Sequence, residues 1–369
     1  MENAHPEFDP ALTGVLFFSR GHGRGHAIPD LAIVEELRTL RQDFDLRFAS
    51  YATGAETLAE LGHSLIDLEL PAANPVIETI VRCARVIAWL KPHLVIAHEE
   101  FPALPAAKIF GLPTIFLTDW FDEAKEFTMY LLAYADEVIF LDEPGIFDEP
   151  AHLKGKVHYT EPVLRSFSYS QADRGRARQE LELPQDAVVI SVFPGSWTEE
   201  EGPIFDLVTA AFDLIRTPRK NLIWIAGSDY EVLRERARTQ PLITIKKADW
   251  QIDRLFVASD LGITKANRKT AMELAALGIP SISLSHGLNW PDDVRVARIA
   301  TNVALDAKTL DSKSLVECIG GILTSHKRTA PMESGAGMKS NGRRLAAERL
   351  SFHIDQIQSQ QHQSFAAGK

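Results

Sequence analysis

The chain has 369 residues, 45% hydrophobic and 24% charged, with a formal charge of 39 − 50 = −11. That length exceeds one ordinary core of roughly 100–200 residues, so two domains are expected, and the acidic balance argues against nucleic acid or an anionic membrane as the main partner. Two cysteines, Cys83 and Cys318, exclude a disulfide framework and a Cys-rich zinc site. No apolar run approaches the ~20 residues of a membrane span, and residues 1–12 are too polar for a secretory signal, so a reducing cytoplasm is the expected compartment.

Residues 14–19 (GVLFFS) read as a buried strand. The glycine-rich turn Gly21-His22-Gly23-Arg24-Gly25-His26 follows, then an amphipathic helix over 27–38 with Leu31, Val34 and Leu37 on one face. Residues 46–51 read as the second strand, 53–61 as a helix capped by Thr53, 65–70 as a third strand and 75–90 as a long helix. The alternation continues with strand 94–98, helix 104–110, strand 114–118, a helical stretch near 125–133 and strand 137–141. Between 145 and 170 the rhythm breaks, with 157–160 as a last strand, and the interdomain linker is placed there. It restarts with strand 188–193, helix 204–215, strand 221–226, helix 230–238, strand 242–245, short helix 252–257, strand 261–264, helix 270–277 and strand 281–284. Segments 295–299 and 314–323 read as helical, 343–357 as a polar helix and 358–369 as a frayed end. Such alternation means parallel βαβ units, an α/β class with doubly wound sheets.

Ligands of such sheets bind beyond the carboxyl ends of the strands, which directs attention to the turns after Ser19, Phe193, Ala226 and Thr264. The first turn fails as a dinucleotide fingerprint: its last glycine position is His26, and the second strand ends in Ser50 and Tyr51 instead of Asp or Glu. A histidine at a helix start is a candidate general base, since its ordinary pKa lies near 6.5; a solvated loop histidine is the bland alternative.

The turn, His26-Ala27-Ile28-Pro29 and the helix beginning at Leu31 resemble the N-terminal motif of GT-B glycosyltransferases related to the peptidoglycan N-acetylglucosaminyl transferase. They are also similar to the glycosyltransferase-like part of plant-type arabinokinases. A second match lies in residues 260–284: a strand ending at Thr264, a polar loop, Thr270-Ala271-Met272-Glu273 opening a helix, then Leu277-Gly278-Ile279-Pro280. Together the motifs span roughly 14–325. Physically, Thr270 and Glu273 also have the spacing of a capping box, and Lys265, Arg268 and Lys269 add positive charge beside a helix start that favours anions.

The resemblance implies a GT-B fold: two Rossmann-like doubly wound domains facing a cleft, with 1–160 as acceptor domain and 161–340 as nucleotide-sugar donor domain. Residues 341–369 then form a helix and tail crossing back to the first domain. It implies His26 as base for the acceptor hydroxyl, with His22 second, and Gly23, Gly25, His98 and Asp119 lining the acceptor side. Donor contacts fall to Gly195, Ser196, Lys265, Asn267, Arg268, Lys269, Thr270, Glu273 (on the ribose), Asp292 and Asp293. Two departures are noted: Ala266 and Asn267 replace adjacent glycines of the family's loop, and Pro194 replaces one of Gly-Gly-Ser. The implied activity is inverting, metal-independent transfer from a nucleotide diphosphate sugar, a UDP-sugar foremost, to an acceptor hydroxyl, with no cofactor. A nucleotide-sugar hydrolase or epimerase and a non-catalytic nucleotide-sugar binder are the alternatives.

Three other signals are weighed. Asp43-Phe44-Asp45 matches the Asp-x-Asp of metal-dependent glycosyltransferases but lies in a helix-to-strand connector, where a solvated turn is expected. His98-Glu99-Glu100 ends a strand on the functional edge; it lacks a second histidine at helical spacing for zinc and reads as an acceptor-side or base-orienting group. Arg343, Arg344 and Arg349 are read as a solvated helix face.

Overall fold

The computed structural model describes residues 7–22, 25–70, 75–121, 126–194, 201–227, 229–247, 251–265, 268–285, 291–328 and 340–367. The continuous apolar runs of the sequence become strands buried on both faces, as a parallel sheet covered by helices requires. One sheet holds β1 (Thr13–Ser19), β2 (Phe44–Ser50), β3 (Leu65–Asp67), β4 (Leu94–His98), β5 (Thr114–Thr118), β6 (Glu137–Phe140) and β7 (Val157–Tyr159). Their order is β3-β2-β1-β4-β5-β6-β7. The other holds β8 (Val188–Phe193), β9 (Lys220–Ala226), β10 (Ile243–Lys247), β11 (Leu261–Lys265), β12 (Ser281–Ser285) and β13 (Asn302–Asp306), ordered β10-β9-β8-β11-β12-β13. Every pairing among the described residues is parallel. The doubly wound α/β class is borne out.

Alternation along β1 sends Leu16 and Phe18 into one apolar layer and Val15 and Phe17 into the opposite one. The first layer is closed by α3 (Val76–Leu90) through Cys83 and Ile87, the second by α1 (Ala27–Leu40) through Leu31, Val34 and Leu37. The last helix, α13 (Gly342–Ala367), joins the second layer with Ala346, Ala347, Leu350, Ile354 and Ile357, a helical stripe. Packing divides the chain into Met1–Arg165 with Ser340–Lys369, and Ser166–Lys339. Among the described residues no helix is long and apolar enough to cross a membrane.

Several local readings are corrected. Residues 358–367 continue α13 instead of fraying, because its apolar stripe runs on to Ile357 and Gln358 binds Thr13 Oγ1 at 3.0 Å. Arg349 is half-buried and paired: its guanidinium donates two hydrogen bonds of 2.5 Å to Glu137 on β6. Arg344 reaches Glu36 at 3.1 Å. Thr53 lies inside α2 (Ala52–Glu60), which starts after extended Tyr51. Likewise α10 (Arg268–Ala276) starts two residues before Thr270, so Thr270 sits within its first turn and does not cap it. A helix, α6 (Arg174–Glu180), and the edge strand β13 lay outside the sequence reading. The signal for the former was Ser170-x-x-Asp173, which forms a capping box.

Candidate functional site

In both sheets the strand order reverses beside the first strand, with β1 against β4 and β8 against β11. Connections leave such neighbours in opposite directions, so a crevice opens beyond their carboxyl ends. In the first unit those ends are Ser19 and His98, which are register partners. Asp30 reaches the same point from the first turn of α1. Its carboxylate, fully buried, accepts Ser19 Oγ at 2.5 Å and lies 2.5 Å from His98 Nδ1. A carboxylate between two donors fixes the tautomer: Nδ1–H of His98 donates to Asp30, and Nε2 keeps the lone pair. That Nε2 is buried and has no hydrogen-bond partner among the described residues.

His26, at the N-terminal end of α1, turns its ring edge to His98 with centroids 4.9 Å apart and planes at 76°. Its Nε2 lies 2.8 Å from Glu99 Oε2. The carboxylate makes Nε2 the protonated nitrogen, so Nδ1 is the basic one. Glu99, 5% exposed, is held by Thr118 Oγ1 at 3.2 Å and by Arg20 at 3.6 Å. Its φ of 53° is left-handed, a conformation costing a non-glycine residue about 1–2 kcal/mol. The paid-for backbone brings the carboxylate to His26 directly after β4. Next to it, Glu100 is buried, and Tyr51 keeps its proton because burial and the charge of Glu100 push its phenol up.

The first glycine of the turn, Gly21, is required by close packing. A Cβ on Gly21 would stand 2.2 Å from the Tyr51 carbonyl oxygen, so the position serves packing against α2. His22 is exposed, with its ring edge-on to Tyr51 at 5.5 Å, and partial burial followed by Arg20 and His26 lowers its basicity. Gly25 is exposed beside His26, whereas Gly23 lies outside the described residues. Asp119, 6% exposed, directly follows β5, the strand next to β4.

In the second unit, β11 ends at Lys265 and α10 begins at Arg268. Arg268 and Glu273 are buried, Lys265, Lys269 and Thr270 half-buried, and Asp293 is 3% exposed on α11 (Pro291–Ala297). Gly195, Ser196 and Asn267 lie outside the described residues, as does the side chain of Asp292. Asp43 and Asp45 sit at the amino end of β2, away from the crevice. The hydrogen bond from Arg41 holds the Asp43 carboxyl down to about 2, and Asp45 pairs with Arg47. A groove of about 610 Å³ lined by Pro92, His93, Leu112 and Ile357 likewise lies at the amino ends of β4 and β5, away from this chemistry.

The structure thus brings His26, His98 and Glu99 together and adds Asp30, Ser19 and Arg20. Asp30 was legible in principle: it stands four residues before Val34 and seven before Leu37, a carboxylate on the buried stripe. The second imidazole for His98-Glu99 comes from a distant turn, not from helical spacing.

No family model matches the sequence. The chain is 24% identical over 377 residues to the UDP-N-acetylglucosamine--N-acetylmuramyl-(pentapeptide) pyrophosphoryl-undecaprenol N-acetylglucosamine transferase of Acetivibrio thermocellus, covering 93% of this chain and 98% of that one. It is similar in structure to MurG of Acinetobacter baumannii, with TM-score 0.58 and 15% identity over 94% of this chain and 99% of that one. It is also similar to the UDP-GlcNAc 2-epimerase of Neisseria meningitidis, solved with UDP-GlcNAc, with TM-score 0.65 and 13% identity over 92% and 99%. The fold is GT-B, and the expected resemblance to the peptidoglycan N-acetylglucosaminyl transferases is borne out.

Proposed function

We propose that this chain transfers a sugar, with inversion and without a metal, from a UDP-sugar to an acceptor hydroxyl. The observation that carries the reading is the His26–Glu99 pair at the switch point of the first sheet, in a chain that aligns end to end with UDP-N-acetylglucosamine transferases. UDP-N-acetylglucosamine is therefore the first donor to try. In this reading the acceptor O–H gives its proton to the His26 imidazole while its oxygen attacks the anomeric carbon. The bond from that carbon to the diphosphate breaks, and the electron pair leaves on UDP. Glu99 orients the imidazole and offsets its new positive charge.

The donor would be held by the second unit. Lys265, Arg268, Lys269 and the start of α10 would meet the diphosphate, with the turn at Gly195 and Ser196 and with Asn267. Glu273 would accept from the ribose, and Asp292 or Asp293 from the sugar. Gly23, Gly25, His98, Asp119 and His22 would line the acceptor side. Two reduced thiols, Cys83 and Cys318, suit a cytoplasmic setting.

A second reading, hydrolysis or epimerisation of the nucleotide sugar, is favoured by one feature: two imidazole–carboxylate pairs in edge contact form an acid–base set larger than transfer needs. The two readings part in one experiment. UDP release from UDP-N-acetylglucosamine is measured with and without the lipid-linked muramyl acceptor named for the relatives, or another hydroxyl acceptor from a panel. Transfer predicts acceptor-dependent release and a glycosylated product. Equal release without acceptor, or an epimerised UDP-sugar, contradicts it.

A further inference from the structure

The geometry points to a divalent transition-metal site, of the Zn²⁺ class, made by His26, His98 and Glu99. Each residue offers one ligand atom, and these atoms lie within 4.8 Å of one another. Three independent features favour an ion there. First, His98 is fully buried, its Nδ1–H is committed to Asp30, and its unpartnered Nε2 carries the lone pair. A metal-binding imidazole has this outer arrangement, because a carboxylate behind it fixes the ring and raises its basicity. Second, the donor set is two nitrogens and one oxygen, which suits Zn²⁺, Co²⁺ or Ni²⁺ better than Mg²⁺ or Ca²⁺. Third, the charges balance: Glu99 and Asp30 supply two negative charges against two positive ones.

Tetrahedral zinc with bonds of about 2.0–2.1 Å sets its ligands roughly 3.3 Å apart. From at most 4.8 Å, rotation of Glu99 and the His26 ring suffices, with water as the fourth ligand. Arg20, 3.6 Å from Glu99 and one-third exposed, opposes the ion, and its long side chain is free to swing toward solvent. The ion takes His26 Nε2 and the Glu99 carboxylate, the pair that holds the base of the transfer in place. It is therefore an inhibitor of that reaction, a regulatory occupant that displaces the His26–Glu99 hydrogen bond. Binding rests on the geometry alone; only the inhibition rests on the proposed transfer.

The test uses the full chain, stripped of metal, and reads binding without turnover. Titration with Co²⁺ should give saturable visible d–d bands at one ion per chain, displaced by Zn²⁺. His98→Gln and Glu99→Gln should each weaken Co²⁺ affinity at least about tenfold, and Asp30→Asn, behind the ligand, by about 10–100-fold. His353→Gln, on α13 and paired with Glu137 at the start of β6, should leave it unchanged. No saturable bands, or equal affinity in Glu99→Gln, overturns the site. Should His98→Gln fail to fold, X-ray absorption of the zinc-loaded wild type decides: two imidazoles in the shell support the assignment, and one or none overturns it. Zinc binding without loss of transfer would refute the inhibition and leave the site standing.

Discussion

Replacing Glu99 by Gln removes one negative charge from beside His26 and keeps the side chain's size. In the wild type, proton transfer to His26 creates an imidazolium 2.8 Å from the Glu99 carboxylate. Two unit charges about 4 Å apart at an effective dielectric near 20 attract by about 4 kcal/mol. Arg20, 3.6 Å from the same oxygen, already uses part of that field. The charge-assisted hydrogen bond is therefore better set at about 2–3 kcal/mol, or roughly 30–150-fold in kcat. The assay is UDP release under saturating donor and acceptor, with calorimetry of UDP alongside. The expected result is that fall in kcat with unchanged UDP affinity, because the groups proposed to hold the donor lie in the other unit. A companion variant separates rate from stability: Glu99→Gly removes the carboxylate and also the left-handed strain at φ 53°. It should lose at least the same rate, while the relieved strain of about 1–2 kcal/mol offsets part of the stability lost with the bonds to His26, Thr118 and Arg20. Wild-type kcat in Glu99→Gln would falsify the pairing as a functional one.

Three further outcomes are expected. Glu273→Ala should weaken UDP binding about tenfold by calorimetry, in line with one lost hydrogen bond from a sugar hydroxyl; unchanged affinity removes Glu273 from the ribose. Gly21→Ala forces a Cβ to within 2.2 Å of the Tyr51 carbonyl, so denaturant unfolding should show a loss of about 1–3 kcal/mol, and full stability would mean that the turn yields cheaply. For Glu137, burial alone would raise the carboxyl, but hydrogen bonds from Arg349 and His353 outweigh it and hold the group at about 2 against 4.5 unfolded. A depressed carboxyl stabilises above the unfolded value and loses that contribution as pH falls from about 4.5 toward 2. After solvent screening this amounts to about 1–2 kcal/mol. Arg349→Ala should be less stable than wild type by that amount at pH 6, with the gap closing near pH 2. A gap independent of pH would contradict it.

Much of the fold was legible because parallel strands buried on both faces write themselves as apolar runs; β4, β5 and β8 coincide with their sequence reading. Edge strand β13 was missed since NVALD is short and only half-buried. Residues 358–367 were read as frayed because polar composition hides what Gln358 does, which is to tie α13 to Thr13 and Asp43. In the site, His26 and His98 were readable from their place at strand and helix ends. Their partnership was not: Asp30 and Glu99 act through pairings 68 and 73 residues apart in sequence, which spacing does not reveal. The need for glycine at Gly21 was not readable either, since it comes from Tyr51, thirty residues on, whose carbonyl leaves no room for a Cβ.

The most direct test of the central claim compares wild type with His26→Ala in acceptor-dependent UDP release from UDP-N-acetylglucosamine. A general base typically contributes about 10²–10⁴-fold, so the variant should fall by at least a hundredfold in kcat while binding UDP as the wild type does. Equal rates in the two proteins would contradict the account.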